Sequence, residues 1–234
     1  MKIMKLRQMA SLGLSVILAS CNLNEVDNYP GPNASIAGGI YDKETGQLIE
    51  QDIIRGAQIE YVEQGFSNPE VQYMVFKNDG TYQNKLMFAN SYTIRPVRGN
   101  FVPLAEEKII VTGDMIHDFK AQPYIRIKNT SISQQGDKVV GSFQIQSTVA
   151  NPVKRVSLFV HTEANVGDPL NLIATGMDIN AQTEETTLYK LEIDLGAYAA
   201  KLKKGSAYYF RIGALIDAAE AKYNYAPAQR ITIK

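Results

Sequence analysis

Tyr189, Leu191, Ile193 and Leu195 alternate with Lys190, Glu192 and Asp194 in the cleanest period-two run of the chain. Successive side chains of a strand point to opposite faces, so this run fits a half-buried strand and not a helix. The same period recurs at Ile36-Gly38-Ile40, Ala57-Ile59-Tyr61, Tyr92-Ile94-Pro96, Val139-Gly141-Phe143-Ile145, Val156-Leu158-Val160 and Tyr208-Phe210-Ile212-Ala214. Shorter apolar stretches at Val71–Phe76, Lys108–Val111, Tyr124–Ile127 and Arg230–Ile233 read the same way. Turn formers punctuate them: Asp42-Lys43-Glu44-Thr45-Gly46, and Asn78-Asp79-Gly80, where glycine makes φ > 0 available. No long amphipathic helix is predicted over residues 34–120, and only Gly196–Lys204 is expected to hold a helical turn. The fold class is therefore all-β.

The chain has 234 residues and a single cysteine, Cys21. Lys2, Lys5 and Arg7 form a basic start, Met9–Ala19 is apolar, and small residues precede Cys21. A positive n-region, a short apolar h-region and a small-residue cleavage site define an export signal. The apolar stretch falls short of the roughly 20 residues that span a bilayer. Leu18-Ala19-Ser20-Cys21 resembles the lipobox of bacterial lipoproteins, which implies cleavage before Cys21 and acylation of the new N-terminus. Stable anchoring takes more than one acyl chain, at roughly 0.8 kcal/mol per buried CH₂, and a diacyl or triacyl cysteine meets that condition. Residues 1–20 are thus expected to be a signal peptide. Residues 21–33 are polar and contain Pro and Gly, and they read as a flexible tether. Glu25 and Asp27 make the tether mildly acidic. This partly resembles a surface-export signal of Bacteroidetes lipoproteins, and an ordinary solvated linker has the same composition.

The mature part is long enough for two domains of about 100 residues each. Loss of the three leader cations tips a chain with 24 basic and 24 acidic side chains slightly acidic, and no basic patch points to nucleic acid. With no further cysteine, stability must come from burial and not from disulfides.

Residues 34–120 carry Gly38-Gly39-Ile40-Tyr41-Asp42-Lys43-Glu44-Thr45-Gly46, then Asp79-Gly80-Thr81-Tyr82, Tyr92-Thr93-Ile94 and Gly99-Asn100-Phe101-Val102-Pro103. This order resembles the carboxypeptidase-regulatory-like, or transthyretin-like, β-sandwich. The resemblance implies a hairpin at Asp79-Gly80 and an adaptor role, not that of an enzyme. Ala121-Gln122-Pro123 breaks the pattern, and a second domain, 121–234, is expected to start there. Its segment Leu202–Ala214, with Gly205, Tyr208 and Arg211, resembles the end of a fibronectin type III or Ig-like sandwich. The resemblance gives Tyr208 the corner role, in which its hydroxyl bonds back to upstream backbone. These domains usually keep a core tryptophan, and this chain has none. The full layout, opening Asp27-Asn28-Tyr29-Pro30-Gly31-Pro32-Asn33-Ala34, resembles two-domain Bacteroidetes lipoproteins of unknown function from polysaccharide-utilisation loci. That resemblance implies an outer-membrane lipoprotein, at the cell surface or facing the periplasm, encoded beside a TonB-dependent glycan importer.

The sequence offers no catalytic constellation. His117 and His161 lack metal-ligand spacing, and there is no Gly-x-Ser-x-Gly, Walker or Gly-x-Gly-x-x-Gly motif. Glu106-Glu107 and Glu184-Glu185 lie in polar runs, where charged side chains are usually solvated. Asp42 and Glu44 share a turn but do not make a calcium loop. Gly38-Gly39 is expected to permit a bulge or close packing. No enzyme activity, metal or cofactor is expected.

Glycan binding is the sharpest functional expectation, because sugar CH faces pack on aromatic rings. With no Trp but 13 Tyr, the candidates are Tyr223 and Tyr225, in the long connection before the last strand, and Phe66 in Gly65-Phe66-Ser67-Asn68-Pro69. Loops at sandwich ends carry binding in this architecture. The expected function is a non-enzymatic accessory lipoprotein of a glycan-uptake system that binds polysaccharide or docks to the transporter complex. The alternative is a structural or adhesion-type surface lipoprotein without glycan binding.

Overall fold

The computed structural model describes residues 30–234. The signal segment, Cys21 and most of the tether lie outside the described residues. The first half builds β1 (Ala34–Asp42), β2 (Gln58–Glu63), β3 (Val71–Val75), β4 (Thr81–Met87), β5 (Asn90–Val97), β6 (Glu107–Val111), β7 (Asp114–Ile116) and β8 (Phe119–Ala121). The second builds β9 (Ile125–Gln135), β10 (Lys138–Ser147), β11 (Val153–His161), β12 (Ile173–Ala181), β13 (Tyr189–Asp194), β14 (Ala207–Ile216), β15 (Asn224–Tyr225) and β16 (Gln229–Thr232).

In the first domain a sheet ordered β4-β1-β7, with β8 also paired to β1, faces a sheet ordered β3-β2-β5-β6. Alternating residues of both sheets meet in one core that includes Ile36, Ile40, Ile59, Ile94, Val111 and a cluster of Phe76, Tyr82 and Phe119. Those three rings lie 5.6–6.4 Å apart, within the range of favourable aromatic pairs. Pairing is antiparallel except at β1, which runs parallel to both β7 and β8. Close packing explains Gly38, because a Cβ there would stand 1.9 Å from the His117 carbonyl oxygen. The Asp79-Gly80 turn forms, with Gly80 at φ 82°, but it is not a hairpin. The strand before it pairs with β2 and the strand after it with β1, so the turn crosses from one sheet to the other.

The second domain stacks a β13-β10-β9 sheet on a β12-β11-β14-β15 sheet, with β16 also on β14. Phe143, Leu158, Leu191, Phe210 and Ile212 fill the core between them. Tyr208 adopts the corner geometry: its hydroxyl donates to Lys201 O at 3.0 Å and accepts from Lys203 N at 2.9 Å. Gly196–Lys204 holds a single turn, closed by Leu202 N to Tyr198 O at 2.8 Å. The domain start shifts by a few residues from the expected one. Ala121 pairs with Asp42 through β8 and is buried in the first core, so the second domain begins beyond it.

Candidate ligand groove at the domain junction

The connection between the domains, residues 122–124, is itself hydrogen-bonded to both of them. Val102 N donates to Gln122 O and Tyr124 N to Asn100 O, both at 2.9 Å, on the first-domain side. Thr148 N donates to Tyr124 O at 3.0 Å on the second. Asn100 is fully buried and links both sides, donating to Glu50 O at 2.8 Å and to Tyr223 O at 3.0 Å. It accepts from the Gln51 amide at 2.8 Å, and its backbone oxygen accepts from Asn224 at 2.9 Å. Residues 32–234 accordingly form one compact unit.

The centre of this seam is Arg211, which is 0 % exposed. Period two places Arg211 on the face of β14 opposite the core, beside Phe159 of β11. That face is covered jointly by the first domain and by Val166 and Tyr223–Ala226 of the second. The guanidinium donates to Ala226 O, Gln51 O, Asn78 Oδ1, Val166 O and Asn78 O at 3.0–3.2 Å and to Glu50 Oε2 at 2.5 Å. It also lies 4.2 Å from the centre of the Tyr225 ring, a cation–π contact. Burial pushes Glu50 above and Arg211 below their ordinary values, and their mutual attraction opposes both shifts.

A second ion pair clamps the domains at the rim. Arg126 of β9 grips Asp42 of β1 at 2.5 and 3.0 Å and reaches Glu44 at 2.7 Å. The carboxylates of that turn are thus committed to a guanidinium. Burial alone would raise the Asp42 carboxyl. The Arg126 hydrogen bond, the Glu44 backbone N–H and the Arg126 charge outweigh it and hold the group below its ordinary 3.8. A carboxylate with a depressed folded pKa contributes stability above its unfolded pKa and loses it as pH falls through the folded one. Asp42→Asn should therefore melt below wild type at about pH 6, and the gap should narrow by about pH 3, below the ordinary Asp value of about 3.9. Melting curves at both pH values check this, and a gap independent of pH would refute it.

Between these clamps lies a groove of about 620 Å³ with walls from both domains. Ligand sites favour such domain junctions and typically measure roughly 300–1,000 Å³. Tyr41 supplies an aromatic wall, with Leu48 and Pro227 as apolar neighbours and Asp79, Arg126 and Lys128 as polar groups. Gly39, two residues before Tyr41 on the same face, leaves space for it: a Cβ there would stand 3.1 Å from the ring and 2.6 Å from Leu48. An aromatic face beside both donors and acceptors suits a ligand whose own surface alternates CH and OH groups.

The expected pair Tyr223 and Tyr225 does come together, with ring centres 5.8 Å apart. It does not form an exposed platform. Tyr225 is 7 % exposed, lies against Arg211, and accepts a hydrogen bond from Asp168 N at 3.0 Å. Burial drives its phenol far above the ordinary value. Tyr223 is half-buried, edge-on to Phe159 at 5.5 Å, with its hydroxyl 3.2 Å from Ser157 Oγ. Both rings close over Gly213, where a Cβ would stand 3.0–3.1 Å from them. Only Tyr225 reaches the groove wall. Phe66 is 62 % exposed in the β2–β3 loop, outside the groove. Sequence reasoning passed over Tyr41, although it lies inside the first-strand motif directly after Gly38-Gly39-Ile40.

Residues 34–122 match "Protein of unknown function (DUF3823) N-terminal domain", and residues 125–230 match "Domain of unknown function (DUF3823_C)". A solved Bacteroides uniformis structure, described as that of a proposed carbohydrate binding protein, is 33% identical. It covers 87% of this chain and 100% of its own, with a TM-score of 0.81. A DUF3823 family protein from Parabacteroides merdae covers the same shares at 21% identity and a TM-score of 0.74. Another from Bacteroides uniformis does so at 15% identity and a TM-score of 0.74, so these two share the fold. No curated protein matches the chain.

Proposed function

We propose that this chain, which belongs to the DUF3823 family across both of its domains, is a non-enzymatic accessory lipoprotein of a glycan-uptake system and binds polysaccharide in the groove at its domain junction. The observation that carries this reading is the groove itself. It combines an aromatic wall, apolar neighbours and both donors and acceptors between two domains locked by buried hydrogen bonds. A preformed cleft avoids the ordering cost that weakens binding to mobile loops. The relative at 33% identity adds weight, since it is described as a proposed carbohydrate binder. The non-enzymatic part rests on the sequence, which has no catalytic constellation, and on the junction carboxylates Asp42, Glu44 and Glu50, all engaged by arginines. Placement at the outer membrane, on the cell surface or facing the periplasm, rests on Cys21 and its lipobox.

Affinity electrophoresis through gels containing single polysaccharides tests the reading. Wild type should be retarded by at least one glycan. Tyr41→Ala should weaken that binding about tenfold or more, equivalent to about 1.4 kcal/mol, with an unchanged melting midpoint. No retardation on any glycan would overturn the reading and favour the structural or adhesion-type alternative.

Docking to the transporter complex is a second reading, favoured by a different face. Edge strand β3 exposes Val71, Tyr73 and Val75 in a row, with Phe66 in the adjoining loop. An exposed edge of this kind accepts an added strand from a protein partner. Co-purification with the transporter in mild detergent, lost on Tyr73→Lys, is the expected result.

A further inference from the structure

We propose that a second, narrower cleft at the junction is a saccharide subsite that holds neighbouring hydroxyls between Arg98 and Glu220. The ligand class rests on the carbohydrate reading above; the site does not depend on the wide groove. The two clefts lie on opposite sides of the connecting strand. Pro123 and Ile125 line the wide groove, whereas Tyr124, between them, lines the narrow one. The narrow cleft measures about 320 Å³, at the lower end for ligand sites.

Two observations single it out. Among the described residues, four non-glycine positions have positive φ, and two of these are asparagines, the residue type that tolerates such backbone best. The other two are Arg98 (φ 55°) from the first domain and Glu220 (φ 56°) from the second, and both line this one cleft. Glycine would relieve each position, so long charged side chains are held there against local backbone preference. Strain of this kind concentrates at ligand sites.

The second observation is charge. Arg95 in the same cleft is paired to Glu60 at 2.7 Å. Among the described residues neither Arg98 nor Glu220 makes a salt bridge, to each other or to another group. A guanidinium and a carboxylate that share a cleft without touching offer five donors and an acceptor-only group. An anion would meet Glu220, a cation would meet Arg98, and an apolar ligand would desolvate both. A polyhydroxylated ring satisfies both, since each hydroxyl donates and accepts. Tyr124 and Leu104 supply the apolar surface for its CH face.

The test uses the mature protein and oligosaccharide probes of about six units from glucan, xylan and mannan series, read by calorimetry, together with thermal melting. Arg98→Gly and Glu220→Gly should each weaken binding about tenfold. Each should leave the melting midpoint unchanged or raise it, by about 2–4 °C for the pair, because backbone strain is released. A lower midpoint in both variants would show that the side chains serve folding, and would overturn the proposal. Unchanged binding in both, with loss in Tyr41→Ala, would overturn it while leaving the wide groove standing. Loss in the glycine variants with none in Tyr41→Ala would place the sugar in the narrow cleft alone and overturn the wide-groove reading instead. Absence of binding by wild type across all probes would overturn both.

Discussion

Arg211→Ala should lower stability by about 3–5 kcal/mol, the usual cost of removing one partner of a buried ion pair. For a domain pair of this size that corresponds to a fall of roughly 10 °C in melting midpoint. The cost has three sources. Glu50 loses its counter-charge at 2.5 Å and is left desolvated. Carbonyl oxygens of Gln51, Val166 and Ala226 lose their donor inside the seam, and Asn78 O keeps only the Gln51 N–H. The Tyr225 ring loses the cation 4.2 Å away. Urea unfolding measures the effect. Arg211→Met tests the origin: it keeps much of the packing volume but leaves Glu50 unpaired, so it should lose nearly as much as Arg211→Ala. Adding Glu50→Gln to Arg211→Met should recover part of the loss, because the remaining group is then neutral. A loss below about 1 kcal/mol for Arg211→Ala, the net value of one ordinary hydrogen bond, would mean that the seam is held elsewhere.

Cys21→Ala should move the protein from the membrane fraction to the soluble fraction almost completely. The physical reason is that, in the function proposed above, acyl chains on Cys21 supply the anchor; no helix among the described residues is long and apolar enough to cross a membrane. Each acyl chain contributes through its buried CH₂ groups at roughly 0.8 kcal/mol apiece, and two or more chains make the attachment stable. Without the cysteine that whole contribution disappears. Both β domains should remain folded, because the described cores are built from residues between Ala34 and Ile233. Fractionation with carbonate washing, followed by thermal melting of the released protein, checks both halves. Continued membrane association would reject the lipobox reading. A lowered melting midpoint would show that the leader region contributes to the fold.

Much of the fold was legible because one physical signal, period-two burial, dominates its central strands. The run from Tyr189 to Asp194 buries every second residue, as the sequence predicted. The corner tyrosine was legible through the resemblance of Leu202–Ala214 to a known domain end, and its partners lie only five to seven residues upstream of Tyr208. One strand that the pattern missed shows the reason. β12 (Ile173–Ala181) lies at a sheet edge and buries Ile173 alone, so alternation has little to act on. The Asp79-Gly80 turn was legible as a turn, but which sheets it joins depends on pairings with β1 and β2 many residues away.

The candidate site was much less legible. Tyr223 and Tyr225 are legible as neighbours in one connection, but whether their rings lie open or packed is not, because the covering groups Arg211, Asp168 and Asp52 come from distant parts of the chain. Tyr41, Arg126, Arg98 and Glu220 carry no local motif for binding, and they meet only across the junction.

By itself the sequence determined the all-β class, because period-two burial follows from contacts within a strand, and its resemblances to known sandwich domains implied the tyrosine corner and the two-domain layout. It also supplied Leu18-Ala19-Ser20-Cys21, on which the proposed anchoring rests. Only the tertiary structure decided what the outward faces do. Period two says that Arg211 points away from the core of its own domain; it cannot say whether water or another domain lies there. Here the first domain lies there together with Val166 and Tyr225–Ala226 of the second, and an arginine that alternation would leave in solvent is buried under six hydrogen bonds. The grooves exist because two curved surfaces meet along that seam, and such a meeting depends on long-range packing that strand periodicity does not encode.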